Sequence, residues 1–334
     1  MRRAPGFLGF LVPMLALACF LSLPTSPSAR AAAPASGTGT PLAYVPNEGT
    51  GTISVIDTAT DQVVAELPGG SKPRGLAIGP GGRWLYVSDQ PHNRLQLVEL
   101  GTSKLGGTIA LGESPEGVSI SPDGRWVVAA LEGKNEIAVT DTRTNALAFS
   151  ITVRGRNPEH AVFSPNGRLL FVSAEEGDAV DIIDVAARKQ IAQVPVGARP
   201  RGIGFLPDSS RAYVATENAN EVFVIDSASA SFTILARIKA GLRANGIAVH
   251  PGGREVYVSN GGDANVAVID TATNRVVATI PVGQRPWNMA LTPDGKKLYV
   301  ANGRSNNVSV IDTASRTRLR DIAVGKLPWG VVIR

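Results

Sequence analysis

From residue 41 onward, short apolar runs alternate with segments rich in glycine, proline, asparagine and aspartate. One representative stretch has apolar runs at 76–78, 84–87, 95–98 and 108–111. Short runs of β-branched and aromatic residues between turn-forming residues predict β-strands. The pattern therefore predicts an all-β chain whose strands come in groups of four.

This four-strand pattern repeats seven times, and an acidic residue marks the end of the third strand in each repeat. These residues are Asp57, Glu99, Asp141, Asp184, Asp226, Asp270 and Asp312. They lie 42 to 44 residues apart, and a period near 40 with four short strands is typical of a β-propeller blade. We predict a seven-bladed β-propeller of four-stranded antiparallel blades, with strands named A to D from the axis outward.

The repeat begins and ends out of phase. The chain opens with a B strand at 42–45 and finishes with an A strand at 330–333. We therefore expect the C-terminal strand to join the N-terminal blade and close the ring, because closure leaves no long sheet edge exposed.

The repeated aspartates precede threonine and serine residues in the turns between strands C and D, as at Asp57 and Asp312. Carboxylates in such turns accept hydrogen bonds from nearby backbone N–H groups. A metal-binding role is conceivable for them. Because the residues recur in blade after blade, we favour a structural role.

The N-terminal segment has the features of an export signal. Arg2 and Arg3 precede an apolar run at 7–23, and small residues follow it. We predict a signal peptide at 1–33, a short linker at 34–40 and one propeller domain at 41–334, which places the mature protein in the periplasm or outside the cell. Cys19 loosely resembles a lipoprotein cysteine, but the apolar run continues past it, so we favour cleavage over lipid attachment.

Composition narrows the function classes. Cys19 is the only cysteine, so the mature chain can form neither a disulfide nor a thiolate metal site. Removing 1–33 leaves 30 basic against 28 acidic residues. This small positive charge gives little support to a polyanion-binding function. No segment after the signal is apolar enough to span a bilayer, and we expect a monomer.

Antiparallel pairing places the D-to-A and B-to-C connections on one face of the ring, here called the mouth face. The D-to-A connections are net positive and the B-to-C loops net negative. We predict that ten residues surround the channel mouth as a candidate binding site: Arg74, Arg156, His160, Arg199, Arg201, Arg243, Arg285, Trp287, Lys326 and Trp329. They could bind a carboxylate or phosphate, with tryptophan as a stacking wall. Alternatively, the basic residues could pair with Glu113, Glu116, Glu159 and the loop acids to join neighbouring blades.

His160 breaks the repeat, because four other blades have glycine at this position. It could be a ligand or base beside Glu159, or a hydrogen-bonded structural residue. The three histidines occupy separate blades and indicate neither a metal cluster nor a haem site. Nucleophile-elbow, zinc-protease and phosphate-loop motifs are missing from the sequence. We assign no catalytic residue, metal or cofactor.

The segments at 85–88, 256–260 and 298–302, together with Val-Ile-Asp-Thr-Ala-Thr at 55–60 and 268–273, resemble the YVTN family of β-propeller repeats. The resemblance covers 41–334 and implies a seven-bladed propeller. The segments at 305–312 and 324–332 resemble periplasmic propellers associated with PQQ-dependent alcohol catabolism. That likeness implies an accessory role beside a quinoprotein dehydrogenase or cytochrome c, without bound PQQ, because the tryptophan-docking motifs and adjacent cysteines of quinoprotein enzymes are missing here.

Three functions follow as hypotheses. The leading one is a non-catalytic periplasmic propeller that binds a partner protein or a small anionic ligand through the mouth face. The second is a lactonase-like or lyase-like enzyme that uses Glu116, Glu159 and His160. The third is single-stranded nucleic-acid binding through arginine and tryptophan stacking, which the small net charge disfavours.

Overall fold

A computed structural model describes residues 39–334 as seven four-stranded antiparallel sheets arranged as propeller blades. The predicted signal peptide, Cys19 and most of the linker lie outside the described residues. Blade 1 contains β1 (Leu42–Asn47), β2 (Thr52–Asp57), β3 (Gln62–Pro68) and the C-terminal β28 (Val332–Ile333). Blade 2 contains β4 (Pro73–Ile78), β5 (Trp84–Asp89), β6 (Arg94–Glu99) and β7 (Lys104–Ala110). The predicted architecture is confirmed.

The remaining blades repeat this order. Blade 3 contains β8 (Pro115–Ile120), β9 (Trp126–Leu131), β10 (Glu136–Asp141) and β11 (Ala146–Thr152), and blade 4 contains β12 (Pro158–Phe163), β13 (Leu169–Ala174), β14 (Ala179–Asp184) and β15 (Lys189–Pro195). Blade 5 contains β16 (Pro200–Phe205), β17 (Arg211–Thr216), β18 (Glu221–Asp226) and β19 (Ile234–Lys239). Blade 6 contains β20 (Ala244–Val249), β21 (Glu255–Asn260), β22 (Asn265–Asp270) and β23 (Arg275–Pro281), and blade 7 contains β24 (Pro286–Leu291), β25 (Lys297–Asn302), β26 (Asn307–Asp312) and β27 (Thr317–Ala323).

Short 3₁₀ turns occur at Pro80–Gly82, Gln90–His92 and Glu132–Lys134. Within residues 39–334, no helix has the length and apolar character needed to cross a membrane.

The C-terminal strand closes the ring as predicted. Tyr44 of β1 pairs with Val332 of β28, and the backbone N–H of Leu42 donates to the carbonyl of Arg334 at 3.0 Å. Before β28, the backbone N–H of Trp329 donates to the carbonyl of Pro46 at 2.9 Å, so the contact with β1 extends beyond the two regularly paired residues.

Apolar side chains fill the spaces between blades. Ile53 and Val55 of blade 1, for example, pack in one buried cluster with Leu85 and Val87 of blade 2. Buried tyrosines add polar connections, since the Tyr213 hydroxyl donates to an Asn274 oxygen in the next blade at 2.9 Å. Burial of this apolar surface is the main favourable contribution to folding.

The repeated aspartates have the structural role that the sequence favours. One oxygen of Asp57 accepts hydrogen bonds from the backbone N–H groups of Ala59 at 2.8 Å and Thr60 at 2.9 Å. These bonds hold the pKa of Asp57 below its usual range, and the bond from Thr60 has the largest effect. Asp312 bonds Ser315 in the same way.

The A strands of blades 2 to 7 begin with a bulge, which positions the candidate site. In blade 2 the pairing register shifts between Pro73 and Leu76, so Arg74 and Gly75 belong to a bulged strand rather than to the loop that the sequence indicates. The Ser88 hydroxyl stabilises the bulge because it accepts from the Gly75 N–H at 2.8 Å and donates to the Glu116 carbonyl at 2.8 Å. This bond connects blade 2 to blade 3.

Candidate functional site

The starts of the seven A strands place two rings of seven residues at the mouth of the channel. The first, here called the mouth ring, consists of Arg74, Glu116, Glu159, Arg201, Asn245, Trp287 and Trp329. The next residue of each strand forms the inner ring, which consists of Gly75, Gly117, His160, Gly202, Gly246, Asn288 and Gly330. Blades 2 to 5 supply the four charged members of the mouth ring, and the other three blades supply neutral ones. The mouth is therefore divided into a charged half and a neutral half.

Glycine in the inner ring lets neighbouring A strands approach closely. A Cβ added to Gly75 would lie 2.4 Å from the carbonyl oxygen of Glu116 and 2.4 Å from the N of Val118. Both atoms are backbone atoms, which cannot move without disturbing blade 3. His160 and Asn288 are the two members of this ring that carry side chains.

Ion pairs dominate the charged half. Arg74 pairs with Glu116 and, at 3.1 Å, with Glu48 from the first B-to-C loop. Arg201 pairs with Glu159 at 3.1 Å, and these two side chains are 13% and 3% exposed. Each pair joins two blades, as the ion-pairing interpretation of the sequence proposes.

Two more of the predicted arginines join this network through loop glutamates. Arg199 contacts Glu175 at 2.5 Å and Glu217 at 3.3 Å. Glu217 also accepts from Arg285 at 2.6 Å and lies 3.3 Å from Arg201. Although burial opposes ionisation, Arg201 and then Arg285 keep the pKa of Glu217 below its usual range.

Within residues 39–334, the remaining predicted cations lie outside this ion-pair network. Arg156 is exposed and donates to the backbone carbonyl of Glu176 at 3.0 Å. Arg243 and Lys326 are exposed residues of the D-to-A connections in blades 6 and 1. The ten predicted residues thus share one face, but they do not form a single basic cluster.

Three glutamate carboxylates lie close enough together to bind one metal ion. One carboxylate oxygen each of Glu116, Glu132 and Glu159 lies within 4.8 Å of the others. Gln90 donates to both Glu116 and, at 3.3 Å, Glu132, while the Ser114 hydroxyl donates to Glu132 at 2.7 Å. Burial, followed by the nearby Glu159 carboxylate, raises the pKa of Glu116 well above its usual range. Glu116 is therefore suited to retaining a proton. By the spacing of its three carboxylates, this cluster is the candidate metal site within residues 39–334.

His160 reaches across the channel to Trp329. Their ring centroids are 5.4 Å apart and their planes differ by 13°, although the two residues come from blades on opposite sides of the ring. Burial, and then the positive charge of Arg201, lowers the pKa of His160 to about 3. The imidazole is therefore neutral at physiological pH.

The neutral half combines aromatic, amide and exposed apolar residues. Trp287 packs over Gly303, where an added Cβ would lie 2.7 Å from the indole ring. Leu242 and Leu327, in the D-to-A connections of blades 6 and 1, are 54% and 37% exposed. The sequence pattern predicted neither leucine at the mouth, nor Asn245 and Asn288. Asn288 carries a signal that could have revealed it, because it replaces glycine in the repeat as His160 does.

Below the mouth ring, the channel contains a cavity of about 150 Å³. Apolar side chains form much of its wall, including Leu76, Val118, Ile203, Ile247 and Val331. His160, Asn288 and Trp329 also line it. The inner ring thus contributes polar groups to a largely apolar space.

Fold and mouth together define a seven-bladed β-propeller with an asymmetric channel entrance. The model of the YNCE-like beta-propeller family matches residues 10–334, and the chain belongs to that family. The family match does not show whether the chain belongs with the propellers associated with PQQ-dependent alcohol catabolism. That narrower resemblance therefore stays a prediction. A comparison with curated protein sequences gives no match.

Solved structures share the fold. A chain of Kuenenia stuttgartiensis hydrazine synthase has a TM-score of 0.75 at 25% identity, over 81% of this chain and 92% of that one. A functionally unknown protein from Desulfotomaculum acetoxidans has a TM-score of 0.78 at 19% identity, over 87% of this chain and 98% of that one. A Bacteroides uniformis protein, provisionally assigned as a 6-phosphogluconolactonase, has a TM-score of 0.74 at 20% identity, over 89% of this chain and 100% of that one.

Proposed function

We propose that this protein is a non-catalytic periplasmic propeller that binds a partner protein through the neutral half of its mouth face. The observation that best supports this proposal is the asymmetry of the mouth. The charged members of the mouth ring are ion-paired within the protein, whereas Leu242 and Leu327 extend into solvent on the neutral side. Clustered aromatic and exposed apolar side chains are typical of protein interfaces.

The charges around the neutral half indicate what kind of partner would fit. Arg243 and Lys326 are exposed and stand next in sequence to Leu242 and Leu327. Basic residues at the rim of an apolar patch favour a partner whose apolar contact residues are bordered by acids. A small anionic ligand is less well supported, because Arg74, Arg199, Arg201 and Arg285 already pair with glutamates. The resemblance to PQQ-associated propellers makes a quinoprotein dehydrogenase or cytochrome c the first partners to test.

Affinity capture from periplasmic extract tests this proposal. The protein would be expressed from its full sequence and compared with the double variant Leu242→Asp/Leu327→Asp. A matched control carries Val277→Asp/Leu319→Asp, which places the same charges on outer strands at residues that are 46% and 50% exposed. We expect the captured partner to be lost with the first variant and retained with the control. Retention by both variants would exclude the neutral half as the binding surface.

A second candidate function is a metal-dependent enzyme, and the cluster of Glu116, Glu132 and Glu159 is the observation that favours it. The provisionally assigned 6-phosphogluconolactonase with the same fold suggests a lactone as the first substrate to try. This candidate requires a stoichiometric divalent metal that is lost in Glu116→Gln/Glu132→Gln, together with lactone hydrolysis. A purified protein that is metal-free and inactive would remove it.

A further inference from the structure

The face opposite the mouth carries a groove between blades 6 and 7. The groove has a volume of about 470 Å³ and lies among the A-to-B turns of these blades and the C-to-D turn of blade 7. His250 lines it together with three cations and two acids, which are Arg254, Lys296, Arg316, Glu255 and Asp294. The charged lining is therefore net positive, which favours an anion.

The two acids of the groove are already engaged by the protein itself. The Glu255 carboxylate accepts from Arg316 at 2.6 Å and from the Tyr257 hydroxyl at 2.6 Å. Asp294 accepts from the Thr292 hydroxyl at 2.7 Å. An incoming ligand therefore gains more from the donors of the groove than from its acids.

Several of these donors are unused. Arg254 is exposed, and within residues 39–334 it takes part in none of the ion pairs. Lys296 pairs with Asp294 only at 3.4 Å, and their side chains are 81% and 54% exposed, so this pair contributes little energy. The Nδ1 of His250 accepts from the Gly252 N–H at 3.0 Å, which places the proton of a neutral imidazole on Nε2. That Nε2–H has no partner in the described part of the chain and is not buried.

The number and charge of these donors match a phosphate group. A phosphate ester carries up to two negative charges near neutral pH and three acceptor oxygens. It can therefore accept from Arg254 and His250 of blade 6 and from Lys296 of blade 7 at the same time. A carboxylate has one charge and two oxygens, which a single arginine satisfies.

We propose that this groove binds a phosphate group, free or carried by a small ester, through Arg254, His250 and Lys296. Binding sites for small organic molecules begin at roughly 300 Å³, so a groove of about 470 Å³ has room for the rest of an ester. The site lies on the face opposite Leu242 and Leu327. The proposal therefore holds or fails independently of partner binding.

NMR titration of the unmodified protein with inorganic phosphate at constant pH tests the proposal. The chain has three histidines, so the ring signals of His250 can be resolved from those of His92 and His160 in ¹³C-labelled protein. We expect phosphate to shift the His250 signals in a saturable way while the other two remain unchanged. Sodium chloride at the same ionic strength should not reproduce the shift. An unmoved His250 signal at tens of millimolar phosphate would overturn the proposal.

Glycerol 3-phosphate distinguishes the two sources of the phosphate group. Tighter binding of this ester than of inorganic phosphate would identify a small phosphate ester as the ligand. Equal or weaker binding would identify free phosphate.

The variant Arg254→Met has a matched control in Arg168→Met. Arg168 is exposed and ends the same turn in blade 4, where Ser164 stands at the position of His250. We expect Arg254→Met to bind phosphate at least about tenfold more weakly, because a charged hydrogen bond is lost, and Arg168→Met to bind it unchanged. Equal weakening in both variants would show general attraction by the basic residues and overturn the site.

The variant His250→Ser tests the hydrogen bond from the imidazole. Serine stands at this position in blades 3 and 4, as Ser121 and Ser164, so the turn should still form. Calorimetry should show about threefold to tenfold weaker phosphate binding, which is the contribution of one hydrogen bond. Unchanged affinity would overturn the role of His250.

Discussion

The hydroxyl of Tyr299 in blade 7 donates a hydrogen bond to the carboxylate of Asp61 in blade 1, so one bond spans the ring closure. Lys297 reinforces it with a 2.9 Å bond to the same carboxylate. Burial, followed by the hydrogen bond to Asp61, raises the pKa of Tyr299 above its ordinary value. The hydroxyl therefore stays protonated and available as a donor.

Replacing Tyr299 with phenylalanine should weaken the closure selectively. We expect Tyr299→Phe to lower the free energy of unfolding by about 1–2 kcal/mol, because a buried charged acceptor loses one donor. Hydrogen exchange should accelerate in β1 and β28. Tyr257→Phe is the matched control, since Tyr257 bonds Glu255 within its own blade at 2.6 Å. Faster exchange at the closure in both variants would contradict this explanation.

The contact between A strands predicts a large effect of a very small substitution. Gly75→Ala would place a methyl group 2.4 Å from backbone atoms of blade 3, and we expect a loss of about 2–3 kcal/mol in urea unfolding. Gly101→Ala is the control, because a Cβ there has no atom within 4 Å and should change stability by less than about 0.5 kcal/mol. A similar effect of both would mean that blade 3 yields to the new methyl group.

The sequence was sufficient for the architecture because the blade repeat is local. Strands, turns and the acidic residue of each repeat lie within about 40 residues, which is the blade period, so Asp57 and Asp312 reveal it without knowledge of the tertiary structure. The sequence also placed Arg74 and Glu116 at the same channel mouth. It left open whether they bind a ligand or each other, because their pairing depends on the bulge that follows Pro73.

Contacts across the channel could not be derived from the repeat. His160 and Trp329 lie in blades on opposite sides of the ring, and their stacking depends on the channel radius. The replacement of glycine by His160 indicated an unusual position but no partner. Leu242 and Leu327 were missed for another reason: a single apolar residue in a loop has no periodicity that marks it as exposed.

The ion-pair network predicts a strong effect at Arg201. Removing this cation by Arg201→Met would take the positive partner from Glu159, which is 3% exposed, and would leave Glu217 with Arg199 and Arg285. We expect a loss of about 3–5 kcal/mol in stability at neutral pH. Arg156→Met, at an exposed residue, should change it little. A small loss at Arg201 would contradict this expectation and show that the neighbouring arginines, or protonation of Glu159, compensate for the missing cation.

The depressed pKa of His160 predicts that the protein loses stability as the pH falls. Its pKa is about 3 in the folded protein and about 6.5 in an unfolded chain, so the unfolded state binds the proton more strongly at every pH between these values. Between pH 7 and pH 5 this favours unfolding by about 1–2 kcal/mol. The negative charge of Glu175 opposes the effect, and the positive charge of Arg201 strengthens it. Urea unfolding of the unmodified protein and of His160→Phe at both pH values measures this contribution. We expect the variant to lose less stability than the unmodified protein over this interval, and equal losses would show that His160 takes up its proton without unfolding.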